Sequence, residues 1–298
     1  MQAFVLALGG TLWIAAVYAL MSVGTVVIFR TTRVLNFAGG DVGLVGAYVI
    51  ATMIGLFSSF WLGLVTGVLI AALGGAVVYV LFMIPLIGRS NAGGIVGPLA
   101  MVMSTFVLSI LIENIVPLIW STSTRNVPNP FSNELTLRIG DFGMTSLQIA
   151  TIVCAVVGIA GFTALLRWTS IGVSMRAVSS SPRLAAGIGI NVHAIGALSW
   201  ASGVFFSSLG ALSFALATDL DPTTTASLGL AIFPAIIIGG LDSIPGSLFG
   251  ALVLALLQTI VGLIFGGTWT DVSAYIALLV ILGVRPYGVF GRQAVSRL

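Results

Sequence analysis

No charged residue occurs between Met1 and Phe29, none between Val42 and Gly88, and none between Ser90 and Ile112. Runs this long, this apolar and this free of charge leave few folds open. A helix that spans a bilayer needs about 20 mostly apolar residues, because in lipid every backbone polar group must be satisfied inside its own segment. The composition points the same way: 58% of residues are hydrophobic and 6% are charged, against about 25% charged in soluble domains. The chain therefore reads as all-α and polytopic, an integral membrane protein of about eight to nine transmembrane or re-entrant helices. The expected spans are 7–29, 38–57, 61–84, 96–120, 147–167, 194–217, 227–240, 245–265 and 270–284. The seventh and ninth are short and are expected to tilt or re-enter. The first run lacks a basic n-region and a small-residue cleavage pattern, so it reads as a retained helix.

All eleven basic residues are arginines, and their placement orients the spans. Alternating the helices gathers Arg30, Arg33, Arg89, Arg167, Arg176, Arg183, Arg285, Arg292 and Arg297 on one side. Arg125 and Arg138 fall on the other, together with Glu134, Asp141, Asp219, Asp221 and Asp271. The arginine-rich side is expected to be cytoplasmic, which puts the N-terminus outside and the C-terminus inside. Residues 1–298 read as a single transmembrane domain. Its longest external connection is about 121–146, within which Glu134–Ile139 alternates like a short strand. Trp61, Trp120, Trp168, Trp269 and Tyr275 fall near span ends, as interfacial anchors do.

Several functions are disfavoured. No Lys/Arg stripe with interleaved aromatics exists, so nucleic acid is not an expected partner; membrane lipid is. One histidine, His193, and one cysteine, Cys154, cannot build a metal site or a hydrolytic triad. A phosphate-binding G-x-x-x-x-G-K-[ST] loop is absent. No catalytic residue, metal or cofactor is expected in this chain.

Two stretches interrupt the apolar pattern with paired glycines and a carboxylate. The first runs Asn36-Phe37-Ala38-Gly39-Gly40-Asp41, the second Gly239-Gly240-Leu241-Asp242-Ser243-Ile244-Pro245. Glycine-interrupted membrane segments in corresponding halves of a chain point to a translocation pathway. Helix capping is the alternative role for Asp41 and Asp242. Glu113 lies inside the run VMSTFVLSILIENIVPLIW, where a carboxylate serves either the pathway or the outer interface. The remaining distinctive segment is a basic cytoplasmic loop at about 168–193, rich in small residues and expected to hold a short helix between Gly172 and Gly189.

These residues resemble the permease of branched-chain amino acid ABC importers, the first of its two paired permease types. The resemblance rests on RVLNFAGGD with GAY at 33–48, RAVSSSPRLAAGIGINV at 176–192, GGLDSIPGSLFGAL at 239–252 and RPYGVFG at 285–291. It implies a compact permease that pairs with a related second permease as a heterodimer. Two cytoplasmic ABC ATPases, holding the ATP and Mg, would drive it, and an extracytoplasmic substrate-binding protein would deliver substrate. The family's ATPase-docking segment maps onto Arg176, Ala177, Ser181, Pro182, Ala185, Gly189 and Ile190. The pathway is expected to involve Asn36, Gly39, Gly40, Asp41, Glu113, Gly239, Gly240, Asp242 and Pro245. Importers of urea and short amides share the motifs. A carrier or channel working alone is the alternative outside this class.

Overall fold

The computed structural model describes residues 2–90, 96–131, 135–139, 142–285 and 287–291. The expectations for Glu134, Asp141, Arg292 and Arg297 lie outside these residues. Seven helices among the described residues are long and apolar enough to cross a membrane. In chain order the elements begin with α1 (Gln2–Thr32), α2 (Gly39–Phe57) and α3 (Phe60–Val78). A π-helical turn (Tyr79–Met83) joins α3 to α4 (Ile84–Ser90), and α5 (Val96–Trp120) follows. A hairpin of β1 (Leu135–Ile139) and β2 (Phe142–Thr145) leads into α6 (Ser146–Trp168). Two short helices, α7 (Ser170–Ser180) and α8 (Pro182–Gly187), replace the expected loop. The chain closes with α9 (Val192–Thr218), α10 (Pro222–Gly239), α11 (Ile244–Phe265) and α12 (Thr268–Val284).

The seventh and ninth expected spans become α10 and α12, of 18 and 17 residues. At 1.5 Å per residue each is about 26–27 Å long, slightly less than the hydrocarbon thickness. The strand expected at Glu134–Ile139 is present as β1 from Leu135, paired antiparallel with β2. The hairpin packs on the start of α1, where a Cβ on Gly9 would collide with the Gly143 carbonyl.

Three helices make the centre, and small residues explain how. In lipid there is little hydrophobic drive between helices, so close backbone approach and interhelical hydrogen bonds hold them. α1 meets α9 where Gly24 faces Gly203 and Ser207, and one turn-set further along where Gly210 faces Met21 and Val17. Ser199 donates to Thr31 across the same crossing at 2.9 Å. α2 meets α9 through Gly43 on Ser207 and Gly46 on Ser208. α11 is tied to α1 by Tyr18, which donates to Gln258 at 2.9 Å, and by the Thr11–Thr259 pair at 2.8 Å. Trp200 of α9, fully buried, packs with Tyr79 of the π turn at 6.3 Å between ring centroids. α5 and α6 lie at the periphery, each showing long rows of exposed apolar side chains.

Local chemistry fixes the element ends. α6 starts with a full capping box: Thr145 Oγ1 accepts from the Gln148 amide and Gln148 Oε1 accepts from the Thr145 amide. Thr145→Ala is expected to remove about 1 kcal/mol, seen as a lower midpoint of thermal unfolding in detergent.

Charges sort to two ends as the sequence implied. Arg33, at the end of α1, pairs with Asp242 between α10 and α11 and reaches Ser179 of α7, so these segments share one end. At the other end Arg125 and Leu220 exchange two backbone hydrogen bonds of 2.9 and 3.0 Å, beside the Asn126–Asp219 contact. Trp61, Trp168 and Trp269 are exposed at helix ends, whereas Tyr275, expected near a span end, is exposed in the middle of α12. Trp120 is more than an anchor: its indole donates to Thr52 at 3.0 Å and its ring packs on Tyr48. His193 is exposed at the foot of α9.

Candidate functional site

The break between α1 and α2 does not rest at a helix end facing solvent. After Arg33, whose φ of 57° turns the chain back, Val34–Asn36 runs without regular structure into the bundle and Phe37–Ala38 turns into α2. Thr105 of α5 stitches it there: its hydroxyl accepts from the Phe37 amide at 3.2 Å and donates to the Leu35 carbonyl at 3.1 Å. The Asn36 side chain is buried and accepts from the Ala38 amide at 3.1 Å, satisfying a donor at the start of α2. Phe37 stacks on Phe233 of α10 at 4.8 Å and meets Phe106 of α5 edge-on. Thr105 and Ser109 lie well inside α5, and Phe233 well inside α10, so this irregular backbone sits at membrane depth. Such backbone persists there only where protein or a water-filled cavity covers it.

Gly39 and Gly40 have separate structural reasons. A Cβ on Gly39 would stand 2.7 Å from the Thr25 hydroxyl. One on Gly40 would stand 2.0 Å from the Cα of Gly229, where α2 and α10 cross backbone to backbone. Asp41, 4% exposed, sits in the first turn of α2, where its charge complements the helix dipole. No side chain caps that end of α2; instead Ser109 of α5 donates to the Asp41 carboxylate. Glu113 is one turn beyond Ser109 on the same face of α5 and is exposed. The structure thus gathers Asn36, Gly39, Gly40 and Asp41 with Thr105, Ser109 and Gly229, and leaves Glu113 at the open edge of the group.

The second break is built differently, and this corrects the capping role for Asp242. The α11 cap is Ser243, which accepts from the Gly246 amide at 3.0 Å, with Pro245 in the first turn. Asp242 instead accepts from Arg33 Nη1 at 2.6 Å, and Arg33 Nη2 donates to the Ser179 carbonyl at 3.4 Å. Gly239 is pressed against the Gly246 carbonyl, and Gly240 has a φ of +103° that only glycine adopts without strain. The segment after α12 lies along this break: the Val289 and Phe290 amides donate to Ile238 and Gly239 at 2.9 and 3.1 Å. The two GG-containing breaks are therefore not equivalent. One is buried at depth, and the other is an end-of-bundle junction joined to it through Arg33. The Arg33–Asp242 pair is half exposed, so its effect on stability is below about 1 kcal/mol. Asp242→Arg is expected to lower uptake several-fold, and adding Arg33→Asp in the same chain to restore it. Unaltered uptake in the single variant would show that the pair transmits nothing.

The basic segment resolves into helix signals. Thr169 caps α7, Ser181 caps α8 with Pro182 as its first residue, and Asn191 caps α9. Gly189 and Ile190 end α8: the Ile190 amide donates to Ala185 and the Gly189 amide to Ala186, both at 3.0 Å, with Gly189 at φ +85°. That is a glycine-terminated helix stop, with the two reversed hydrogen bonds closing the last turn. Gly172, expected as a flank, lies in the first turn of α7 against Leu166. Ala185 is 2% exposed, and Arg176 donates back to the Leu166 carbonyl, so both hold the segment together from within. Ala177 is half-buried. The outward face belongs to Leu184 and Ile188, 74% and 77% exposed and one turn apart. Sequence reasoning missed them, although two large aliphatic residues four apart in a polar segment were the available signal.

A many-helix membrane protein with a broken-helix group at depth and a capped helical projection at its arginine-rich end belongs to the class of transport permeases. The profile of the family described as "Branched-chain amino acid transport system / permease component" matches residues 7–284, and the chain belongs to that family. It is 25% identical over 296 residues to the high-affinity branched-chain amino acid transport system permease protein BraD of Pseudomonas aeruginosa, covering 96% of this chain and 95% of that protein. Identity to the corresponding protein LivH of Escherichia coli is also 25%, over 95% of this chain and 94% of that one. A probable branched-chain amino acid transport permease protein LivH of Methanocaldococcus jannaschii is 27% identical, over 95% and 91%. The protein is a multi-pass inner-membrane transport subunit and not an enzyme.

Proposed function

We propose that the chain forms half of the pathway of an ATP-driven ABC importer for branched-chain or related amino acids, paired with a second, related permease. Two ABC ATPases dock on the arginine-rich, cytoplasmic side, and a soluble binding protein delivers substrate on the other. The N-terminus is then outside and the C-terminus cytoplasmic, because the described arginines concentrate beside α7 and α8.

The observation that carries this reading is α8, a capped one-turn helix that holds Leu184 and Ile188 out into water at the polar end of the bundle. Apolar pairs displayed this way are suited to a groove in a soluble partner. Arg176, Ala177, Ser181, Pro182, Ala185, Gly189 and Ile190 build and brace that helix. When the ATPases close, α7 and α8 move with them. Arg33, bonded to Ser179 and Asp242 together, passes the displacement to both glycine breaks. Asn36–Asp41 at depth and Gly239–Pro245 at the cytoplasmic end then open in alternation, and Glu113 lines the outer approach.

This subunit performs no chemistry on its cargo. The described polar groups of the first break are engaged internally, Asp41 by Ser109 and Asn36 by Ala38. Selectivity for a zwitterion therefore rests with the binding protein. The same engagement suits a small neutral amide, which makes urea or a short amide the second reading.

The test is purification of the tagged chain from its native membrane in mild detergent, with mass spectrometry of what is retained and calorimetry on the associated binding protein. A second permease with ATPases, and a binding protein that takes leucine, isoleucine or valine, is the expected result. A binding protein selective for urea or amides would transfer the assignment to the second reading. Recovery of the chain alone, with uptake driven by an ion gradient, would overturn both.

A further inference from the structure

At the arginine-rich end, where α1, α6, α7 and the start of α11 meet, lies a cavity of about 310 Å³. Arg30, Arg167 and Arg176 line it together with Thr31, Thr163 and Ser179, and no carboxylate is among its lining residues. Arg167 and Arg176 take part in no ion pair among the described residues. The cavity adjoins a second space. Thr163, Arg167, Ile244 and Pro245 also line a groove of about 610 Å³ that runs along α1, α6 and α11 toward mid-membrane. Alanines on α1 and α6 hollow that groove, and apart from its Arg167 end it is almost wholly apolar. Trp168, 79% exposed, stands at the junction, where an indole marks the headgroup level.

We propose that this paired space is a binding site for a membrane phospholipid with an anionic headgroup. Its phosphate sits among the three guanidiniums, and one acyl chain lies in the α1–α6–α11 groove. The charge pattern selects this occupant. Guanidiniums bind phosphate oxygens in bidentate geometry, and basic pockets between helices on the cytoplasmic side recognise anionic headgroups. An apolar groove opening from such a pocket adds what a free phosphate has no use for. Because α7 contributes Arg176 and Ser179 to the headgroup pocket, the lipid braces the base of the α7–α8 projection against α1 and α6.

The full-length chain is purified in detergent, stripped of lipid and titrated with phosphatidylglycerol or phosphatidylcholine, with bound lipid counted by native mass spectrometry. Phosphatidylglycerol is expected to bind and phosphatidylcholine to bind far more weakly. Arg30→Gln and Arg167→Gln should each weaken phosphatidylglycerol binding about fivefold. Ala160→Trp, which fills the groove and leaves every arginine in place, should also reduce it. Millimolar inorganic phosphate should not displace the lipid. Equal binding of both lipids, displacement by phosphate alone, or binding indifferent to Ala160→Trp would each overturn the proposal. So would loss of the site in the assembled complex because another subunit covers it.

Discussion

A chain carrying Leu184→Asp and Ile188→Asp inserts and folds normally, yet transports at background and retains no ATPase on purification. Both side chains are exposed in the isolated permease, so polar replacements there cost the fold little. In the assembled state the same positions enter an apolar groove, where each aliphatic side chain contributes about 1.5–3 kcal/mol. A buried, unpaired carboxylate adds a further penalty of several kcal/mol. Together these weaken the contact by at least about 10³-fold, beyond what assembly tolerates. The choice of residues matters. Ala185→Glu would force a charge into a site 2% exposed and break α8 itself, so it could not separate docking from folding. Normal uptake by the double aspartate variant would remove α8 as the docking element.

Gly40→Val is expected to abolish transport, and the loss should extend to stable insertion. Its Cβ would stand 2.0 Å from the Gly229 Cα, and since the backbone fixes the position of both atoms, no rotamer change relieves the overlap. Separating α2 from α10 there would also pull Phe37 from Phe233. A control comes from Gly74, also glycine and also in a spanning helix, where an added Cβ meets nothing within 4 Å. Gly74→Val should transport close to the wild-type level. If both variants behaved alike, the α2–α10 crossing would not be the constraint. Uptake assays with a membrane-fraction immunoblot distinguish lost transport from lost protein.

Much of this arrangement was readable from residue order alone. Hydropathy located the spans because lipid imposes the same demand on each of them separately. The alternation at Glu134–Ile139 announced β1 from Leu135, and Gly189 announced the end of α8, because stops are local chemistry; the one helix expected between Gly172 and Gly189 is two, broken where Ser181 caps α8. What escaped was every fact that depends on which segments meet. Arg33 and Asp242 are 209 positions apart, and nothing in either neighbourhood names the other. Gly229 is one of 37 glycines, and only the crossing with Gly40 distinguishes it. Thr105 and Ser109 look like ordinary hydroxyls of a membrane helix until the Val34–Ala38 segment is laid against them. Capping was a sound local account of Asp242, but it lost to a partner that distance in sequence had hidden.

The central trio of α1, α2 and α9 bears on how the protein is made. Helices enter the membrane in the order of synthesis, and the ribosome needs on the order of ten seconds to pass from the end of α2 to the end of α9. During that interval the faces of α1 and α2 that carry Gly24, Thr31, Gly43 and Gly46 have lost water without meeting α9. The half-made protein must be sheltered by the insertion machinery or by temporary neighbours. Slowing elongation between α6 and α9 would therefore expose the chain to membrane proteolysis more than slowing it anywhere after Thr218.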